Sequence, residues 1–219
     1  MRKIIGGVFL SLDGVMQAPG GPTEDPTGGF GLGGWGATQW DDKMGAAMGG
    51  IFSGPFDLLL GRKTYEIFAA HWPYVPEDDP TGSAFTNANK YVLTRGDDAF
   101  GWANTHKLRG IEDVKKVKAG GGPDILIQGS STLYPQLFAE GLIDRLFVMT
   151  FPVMLGSGKR LFGPGTPSGA LKLVSSEVSD TGVLMATYAP AGAVPIGSFA
   201  LADTSEAETR RQERMQRER

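Results

Sequence analysis

A chain of 219 residues, 41% of them hydrophobic and 21% charged, can bury the core of one medium-sized domain or, at most, of two small ones. Its formal net charge of −3 argues against nucleic acid as a partner, and the lack of cysteine excludes disulfides, thiolate chemistry and cysteine-bound metals. The first apolar run, residues 4–12, is too short to cross a membrane, so we expect a cytoplasmic protein with no membrane partner.

The first half of the chain is predicted to contain two strands and two helices separated by long loops. In chain order these are strand 3–12, loop 14–39, helix 41–52, strand 57–60, helix 64–70 and loop 73–89. The first helix has Asp41 or Asp42 as its cap and methionines spaced along one face. Because structureless loops as long as 14–39 are uncommon in compact domains, we expect that loop to act as a lid or a pocket wall.

The second half alternates strands and helices and then closes with a hairpin. The predicted elements are strands 91–94 and 102–106, helix 111–118, strand 125–127, helix 131–140, strand 145–150, and strands 171–179 and 183–189. This alternation predicts an α/β protein with a mostly parallel sheet, helices on both faces and a C-terminal antiparallel hairpin. We expect residues 1–190 to form the domain and residues 191–219 to be an irregular segment with a charged tail or frayed helix.

The most informative segment is Gly61-Arg62-Lys63-Thr64, where an apolar run stops at a glycine and a helix begins. Free N–H groups at a helix start bind anions, glycine lets a ligand approach the backbone, and Thr64 adds a hydroxyl. Arg62 and Lys63 are electrostatically disfavoured at a helix start unless a polyanion lies among them. The segment therefore predicts phosphate binding; the alternative is an ordinary strand-to-helix turn with solvated basic residues.

Two further strand ends carry similar chemistry. Thr94 and Arg95 offer a hydroxyl and a guanidinium, which matches phosphate bidentately. The third turn consists of Gly129, Ser130, Ser131 and Thr132. Its hydroxyls and N–H groups suit a pyrophosphate or, alternatively, simply cap the next helix. Because ligands bind outside the carboxyl ends of the strands in open α/β sheets, the three turns together predict a dinucleotide with an extra phosphate.

In this order the motifs resemble the dihydrofolate reductase superfamily, over roughly residues 2–189. The chain is most similar to the branch that contains the reductase domain of bacterial riboflavin biosynthesis and its stand-alone relatives. The segments that carry the resemblance are Ser11-Leu12-Asp13-Gly14, Gly61-Arg62-Lys63-Thr64-Tyr65-Glu66, Thr94-Arg95, Gly129 to Tyr134, Gly141 to Leu146, and Pro152 to Gly158. Each motif is weak alone, and their shared order is what makes the resemblance specific.

The resemblance implies a dihydrofolate-reductase-like fold of three layers and NADPH as the cofactor. Because members of this branch commonly form dimers, it also implies a homodimer. The cofactor-binding residues that it implies are Gly61, Arg62, Lys63, Thr64, Thr94, Arg95, Gly129, Ser130, Ser131, Thr132 and Leu133. Thr94 and Arg95 would hold the adenosine phosphate, and the turn that begins at Gly129 would lie under the pyrophosphate.

Two features depart from the pattern of dihydrofolate reductases. Ser130 replaces the second glycine of a Gly-Gly turn that often has a cis peptide bond, and because a cis bond before serine is costly, we expect none here. The acid that binds the pterin has no clear match, so the candidate catalytic carboxylates are Asp13, Asp41 and Asp42. Each has a plain alternative as a turn residue or a helix cap. The two histidines are too scattered for a metal site, and we expect no metal.

The expected function is NADPH-dependent reduction of a small heterocyclic molecule. The resemblance favours 5-amino-6-(5-phosphoribosylamino)uracil as the substrate. Hydride transfer needs an apolar slot beside the nicotinamide. The side chains that could line it, or simply pack, are Trp35, Trp40, Tyr65, Trp72 and Met154. The alternatives are a reductase of dihydrofolate or another pterin, a non-catalytic nucleotide-binding module, and a dimeric scaffold whose charged tail recruits a partner.

Overall fold

The computed structural model describes residues 1–200 and 203–218 as a layered α/β fold. Within these residues the strands are β1 (Ile4–Ser11), β2 (Phe56–Gly61), β3 (Lys90–Leu93), β4 (Thr105–Leu108), β5 (Asp124–Ile127), β6 (Arg145–Phe151), β7 (Leu171–Val178) and β8 (Leu184–Pro190). The α-helices are α1 (Asp42–Ile51), α2 (Arg62–Ala69), α3 (Pro80–Asn87), α4 (Ile111–Ala119), α5 (Leu133–Ala139) and α6 (Glu206–Arg217). Short 3-10 turns lie at Thr27–Gly29, Ala37–Gln39 and Trp72–Tyr74.

The strands form one sheet in the order β4-β3-β2-β5-β1-β6-β8-β7. The strands from β4 to β6 in this order run parallel to one another. β8 pairs antiparallel with β6 on one side and with β7 on the other. Central parallel strands are buried on both faces and so read as continuous apolar runs, and every residue of β2 is buried. The prediction of a mostly parallel sheet with an antiparallel C-terminal hairpin is confirmed.

Helices cover both faces of this sheet and produce the predicted three layers. On one face, α4 and α5 contribute Val114, Tyr134 and Leu137 to the largest buried cluster. On the other face, α1 contributes Met44 and Met48 to a second cluster, while α2 and α3 pack on a third. The carboxyl ends of the parallel strands are left together at one edge of the layers, where ligands bind in sheets of this kind.

One predicted loop contains a helix. The segment 73–89 was expected to be irregular, but α3 begins at Pro80 within it. Asp79 caps this helix by accepting a hydrogen bond from the N–H of Gly82 at 2.8 Å, and proline is favoured in the first helical turn. The prediction was wrong because it relied on the polar composition of the segment and did not use the helix-start signal of Asp79 followed by Pro80.

The fourth strand lies later in the chain than expected, at Thr105–Leu108 instead of 102–106. Trp102 is buried, and its backbone N–H donates to the hydroxyl of Tyr65 at 3.1 Å instead of joining a strand. Asn104 then turns the chain with a φ of 57°, a conformation that asparagine tolerates. The strand can begin only after this turn, which periodicity does not reveal.

The C-terminal region has fewer contacts with the rest of the chain. Backbone pairing beside the hairpin continues to Gly192, whose carbonyl accepts from the N–H of Ala170 at 2.8 Å. The helix α6 has Ser205 as its cap and no buried residue. Three residues of the predicted tail, Leu201, Ala202 and Arg219, lie outside the described residues. The domain boundary at residue 190 stays a prediction. In the described part of the chain, no helix is long and apolar enough to span a membrane.

Candidate functional site

The turns after β2, β3 and β5 lie side by side at one edge of the sheet. β2 lies between the other two strands, with Gly61 opposite Leu93 in β3 and Leu58 opposite Leu126 in β5. The parallel arrangement brings all three carboxyl ends to the same edge. The topology therefore unites three segments that are far apart in the sequence.

The turns after β2 and β5 pack directly against each other. The hydroxyl oxygens of Thr64 and Ser130 are 2.9 Å apart, within hydrogen-bond distance. A Cβ on Gly61 would lie 2.9 Å from the Cβ of Ser130 and nearer still to its Oγ. A Cβ on Gly129 would lie 2.8 Å from Oγ1 of Thr64, and the φ of Gly129 is 131°. Only glycine fits at either position. We call these four residues, Gly61, Thr64, Gly129 and Ser130, the cradle.

The peptide bond between Gly129 and Ser130 is cis. The expectation that serine would exclude a cis bond here is therefore wrong. Local preference is overridden by contacts between groups far apart in the chain, chiefly the packing of the turn against Thr64. The helix α5 then begins at Leu133, whose N–H donates to the carbonyl of Ser130 at 3.1 Å.

The remaining predicted residues of this turn have different environments. Leu133 is 2% exposed and belongs to the main core cluster, so it supports the cradle from below. Ser131 is half-buried, and Thr132 is exposed at the helix cap position, where its side chain makes no capping hydrogen bond. The hydroxyls of Ser131 and Thr132 therefore do not cap the helix, although capping was the alternative role for this segment.

The two cations at the start of α2 make different contacts. Arg62 lies 2.5 Å from a carboxylate oxygen of Glu66, with both side chains partly exposed. An exposed pair of this kind contributes little to stability, so its guanidinium is free to exchange Glu66 for a phosphate. Lys63 instead donates to the hydroxyl of Thr27 at 3.1 Å and links α2 to the long loop 14–39.

The turn after β3 is supported by a second arginine. Arg95 is exposed, and its carbonyl accepts from the guanidinium of Arg109, which follows the neighbouring strand β4, at 3.3 Å. Arg109 also donates to the carbonyl of Gly96 at 2.8 Å and lies 2.5 Å from a carboxylate oxygen of Asp97. The hydroxyl of Thr94 accepts from the N–H of Gly96 at 3.0 Å. Two guanidinium groups therefore lie at adjacent strand ends.

Sequence reasoning missed Arg109. The strand predicted at 102–106 ends before this residue, so Arg109 was not recognised as a strand-end group. The signal was present, because Arg109 and Gly110 repeat the order of strand, arginine and glycine seen at Arg95 and Gly96. A correct strand boundary would have been enough to find it.

Asp13 has the hydrogen bonds of an anchoring group. Its carboxylate accepts from the hydroxyl of Ser11 at 2.7 Å and from the N–H groups of Leu155 and Gly156 at 3.1 and 2.8 Å. These donors, the Ser11 hydroxyl first, lower the pKa of Asp13 to about 2. Asp13 is thus ionised at neutral pH, where it ties the end of β1 to the loop after β6.

Asp41 and Asp42 lie at the start of α1. Asp41 is the cap: it accepts from the N–H of Met44 at 2.9 Å and from the N–H of Thr181 at 3.2 Å, in the turn between β7 and β8. These backbone donors, that of Met44 foremost, lower the pKa of Asp41. Asp42 is the first helical residue and is exposed. Of the two open alternatives for the cap, the structure selects Asp41.

The long loop 14–39 is held in place by side-chain hydrogen bonds. Gln17 is buried; its side-chain amide donates to the carbonyls of Asp25 and Thr27 at 2.9 Å each and accepts from the N–H of Lys159 at 3.0 Å. The indole of Trp35 donates to the carbonyl of Gln17 at 2.7 Å. Lys159 also forms an ion pair with Asp25. The loop is therefore fastened to the segment that follows β6.

The aromatic candidates for an apolar slot divide into packing residues and exposed residues. The rings of Trp35 and Phe151 are 5.2 Å apart, and Tyr65 and Trp72 pack inside the third core cluster. Trp40 is 47% exposed, and its ring centroid lies 5.8 Å from that of Phe9 on β1. Met154 is also exposed. Trp40 therefore presents an aromatic surface near the carboxyl end of β1, while Trp35, Tyr65 and Trp72 serve the core.

The strand-end groups are distinct from a cavity on another part of the sheet. A cavity of about 320 Å³ lies elsewhere, between α1 and the strands β6, β8 and β7, and includes none of the strand-end groups. Within residues 1–200 and 203–218, no group of three or more histidine, aspartate or glutamate side chains is arranged to hold a metal ion. The polar chemistry of the strand ends thus stands as the candidate site.

A family model described as the RibD C-terminal domain matches residues 2–185 of this chain. The chain is also 26% identical over 198 residues to the uncharacterised protein YyaP of Bacillus subtilis, a similarity that covers 85% of this chain and 94% of that protein. The match with the family model extends over most of the chain and includes every predicted site residue.

Two solved structures share the fold. A protein assigned to riboflavin biosynthesis from Shewanella sp. PV-4 has a TM-score of 0.60 and 20% identity, covering 87% of this chain and 99% of that one. A dihydrofolate reductase from Enterococcus faecalis, complexed with NADP(H), has a TM-score of 0.56 and 16% identity, covering 86% of this chain and 96% of that one. The family model confirms the predicted branch of the superfamily, and these two structures confirm the fold.

Proposed function

We propose, because the chain belongs to the RibD C-terminal domain family, that it is a reductase which uses NADPH to reduce a small heterocyclic molecule. The cradle carries this proposal. The hydroxyls of Thr64 and Ser130 are 2.9 Å apart beside two glycines that leave no room for a side chain. Hydroxyl groups at the start of a helix, where backbone N–H groups have no intrahelical partner, suit a pyrophosphate.

The charges around the cradle support NADPH over NADH. Gly61, Thr64, Gly129 and Ser130 would hold the pyrophosphate, and the guanidinium groups at the neighbouring strand ends would hold the phosphate on the adenosine ribose. Those groups belong to Arg62, Arg95 and Arg109. Arginine suits that role because its planar fork donates two parallel hydrogen bonds to one phosphate.

When bound, the nicotinamide supplies the hydride, so the protein has to position the acceptor and exclude water. The exposed ring of Trp40, backed by Phe9, offers a flat surface on which a planar heterocycle can stack. Among the candidate carboxylates, Asp13 and Asp41 are engaged by backbone N–H groups. We therefore assign the contact with the substrate to Asp42, which is exposed beside Trp40.

We propose 5-amino-6-(5-phosphoribosylamino)uracil as the substrate, acted on in the cytoplasm. Its planar ring suits the Trp40 surface, and the family contains the reductase domain of riboflavin biosynthesis. Dihydrofolate is the second candidate, since the fold is shared with a dihydrofolate reductase. Oxidation of NADPH should be followed with each compound in turn, for the native protein and for the Asp42→Asn variant. Binding of NADPH without reduction of either compound would make the chain a nucleotide-binding module.

The cofactor assignment can be tested by titration with NADPH and NADH. Replacing Arg95 or Arg109 by alanine should weaken NADPH binding by about tenfold to a hundredfold, since each change removes a charge-assisted hydrogen bond to phosphate. Binding of NADH should change little. Arg210→Ala on the exposed helix α6 is the matched control. Equal loss of affinity for both nucleotides would contradict the assignment.

A further inference from the structure

Two buried polar atoms of side chains lack a hydrogen-bond partner among residues 1–200 and 203–218. They are Nε1 of Trp102 and Nε2 of Gln128. Such an atom is costly, because it has lost its contacts with water and gained no partner in return. Trp102 is 7% exposed within the third core cluster, whereas Gln128 is only half-buried and directly precedes the cradle. Of the two groups, the amide of Gln128 is therefore the one within reach of a ligand at the carboxyl edge of the sheet.

The Gln128 amide packs on a glycine of the central strand β1. A Cβ on Gly7 would lie 2.8 Å from Nε2 of Gln128 and 3.5 Å from the amide carbon. Glycine weakens the interior of a strand and often marks a position that another group approaches closely; here that group is the amide. Gly6 lies opposite Ile127 in the pairing of β1 with β5, and Gly7 and Gln128 follow them. The amide therefore crosses from β5 to β1 at the point where β5 ends.

The amide lies on the face of the sheet that α1 covers. Along β5, Ile127 belongs to the main core cluster beneath α4 and α5, while Leu126 belongs to the third cluster on the opposite face. Because side chains of a strand alternate between faces, Gln128 points to the same face as Leu126. Along β1, Phe9 shares a face with Gly7 and packs on the second cluster, which α1 helps to form. Both strands therefore assign the amide to the α1 face.

This position brings the amide next to the surface that we assign to the substrate. Phe9 lies two residues beyond Gly7, which is about 7 Å along a strand. The ring of Trp40 lies 5.8 Å from that of Phe9, and Asp42 is the first residue of α1. A planar ring that stacks on Trp40 therefore has the start of α1 on one side and the amide of Gln128 on the sheet side.

We propose that the Gln128 amide recognises a ring amide in the substrate, namely the adjacent N–H and C=O groups of an oxo-heterocycle. The inference rests on the proposed reductase function and adds the chemical group that the substrate must carry. A glutamine amide contains both donors and an acceptor, so it pairs with a ring amide through two hydrogen bonds. Because the side chain is half-buried, rotation about its last bond can turn either Nε2 or Oε1 toward the opening. The aminouracil and dihydrofolate both contain a ring amide.

Two other roles would also account for an amide at this position. The carboxamide of the nicotinamide has the same hydrogen-bonding groups as a ring amide, but Gln128 shares its face of the sheet with Phe9, on which Trp40 packs. A purely structural amide, with solvent completing its hydrogen bonds, would support the fold and contact neither ligand. The shared face favours the substrate, and the three roles predict different losses when the amide is removed.

Gln128→Met tests the contact, because methionine has nearly the same length and lacks both hydrogen-bonding groups. The KM for the aminouracil or for dihydrofolate should rise by about tenfold to a hundredfold, with little change in kcat, because a contact made equally in the ground and transition states affects KM alone. The Kd for NADPH should not change. The Tm should be equal or higher, because an unpartnered N–H is no longer buried. Gln212→Met on the exposed helix α6 is the matched control and should alter none of these values.

Gly7→Ala tests the same contact from the opposite strand. The added Cβ would displace the amide of Gln128, so the KM should rise as in Gln128→Met. In the double variant Gly7→Ala with Gln128→Met the two effects should not add, because both remove one contact. Additive effects would mean that Gly7 acts independently of the amide, which would contradict the proposed geometry.

Direct binding separates this inference from the reductase function. Calorimetric titration with NADP+ present should show that the native chain binds 5,6-diaminouracil about tenfold or more tightly than tetraaminopyrimidine, in which amino groups replace both ring carbonyls. Gln128→Met should bind the two compounds equally weakly. Binding of this kind without oxidation of NADPH would contradict the reductase function alone. A native KM in Gln128→Met, a loss of NADPH affinity in its place, a lowered Tm with unchanged KM, or no preference of the native chain for the uracil would each overturn the proposal.

Discussion

The middle of the sheet and its β7 edge differ in burial and in what their side chains contact. Where β2 and β5 end, Thr64 and Ser130 contact each other, and two glycines let the turns approach. Along β7 every residue is exposed, although Leu173 pairs with Tyr188 and Val178 pairs with Leu184 of β8. The turns of the first region are therefore held by contacts with each other, whereas the side chains of the second face solvent.

Adding one methyl group to the cradle should have the largest effect. In Gly61→Ala the new Cβ would overlap Ser130, and overpacking of this kind lowers the free energy of unfolding by about 1–3 kcal/mol. Binding of NADPH should be lost at the same time. Urea denaturation and nucleotide titration measure the two effects.

Two further variants test whether the effect of Gly61→Ala comes from overlap with Ser130. Gly61→Ala combined with Ser130→Gly removes the overlapping side chain and should regain most of the lost stability. Gly54→Ala adds the same methyl group where no atom lies within 4 Å, and should change stability by less than about 0.5 kcal/mol. If Gly61→Ala behaves like Gly54→Ala, the close approach of the two turns is not present in solution.

Asp13→Asn should have an intermediate effect. Asp13 follows β1, which lies between β5 and β7 in the sheet. Asparagine accepts fewer hydrogen bonds from Leu155 and Gly156, so the loop after β6 should shift and the reductase rate should fall by up to about 100-fold. Steady-state rates with NADPH measure this loss. An unchanged rate would show that the anchoring contact is dispensable.

The pH dependence of stability and of the reaction rate distinguishes an anchoring role for Asp13 from a catalytic one. The pKa of Asp13 is about 2 in the folded chain and lies near 3.8 when the group is unperturbed. Its contribution to stability should therefore be fully present above pH 3.8 and be lost as the pH falls through about 2. A step in the rate near neutral pH that disappears in Asp13→Asn would instead make Asp13 the titrating catalytic group.

A last effect, which appears only at alkaline pH, is expected at Lys90, a residue buried at the start of β3. Its ammonium donates to the carbonyls of Phe85 and Thr86, and burial lowers its pKa to about 8 from 10.5. Between these two values the unfolded chain binds more protons, so this group should raise the free energy of unfolding as the pH rises. Urea midpoints of the native chain and Lys90→Met, compared across that window, isolate the effect. A difference that does not change with pH would contradict it.

Local sequence patterns predicted the strand-end turns but not the contacts that determine their roles. Gly61 and Gly129 were identified because glycines after apolar strands have a local signature. Arg109 was missed because a strand boundary depended on the burial of Trp102. The role of Asp13 depends on the N–H of Gly156, 143 residues later in the chain, which no local pattern indicates.

Alternation of apolar strands and amphipathic helices determined by itself the parallel sheet, its three layers and the edge at which the candidate phosphate-binding turns gather. These follow from hydrophobic burial and chain direction, both of which are written along the sequence. The tertiary structure alone decided that the bond at Gly129 is cis, that Asp41 is the helix cap tied to Thr181, and that a bulge interrupts β7 between Leu173 and Ser175. Each of these depends on which group lies across a strand or a turn, and such proximity exists only once the chain has folded.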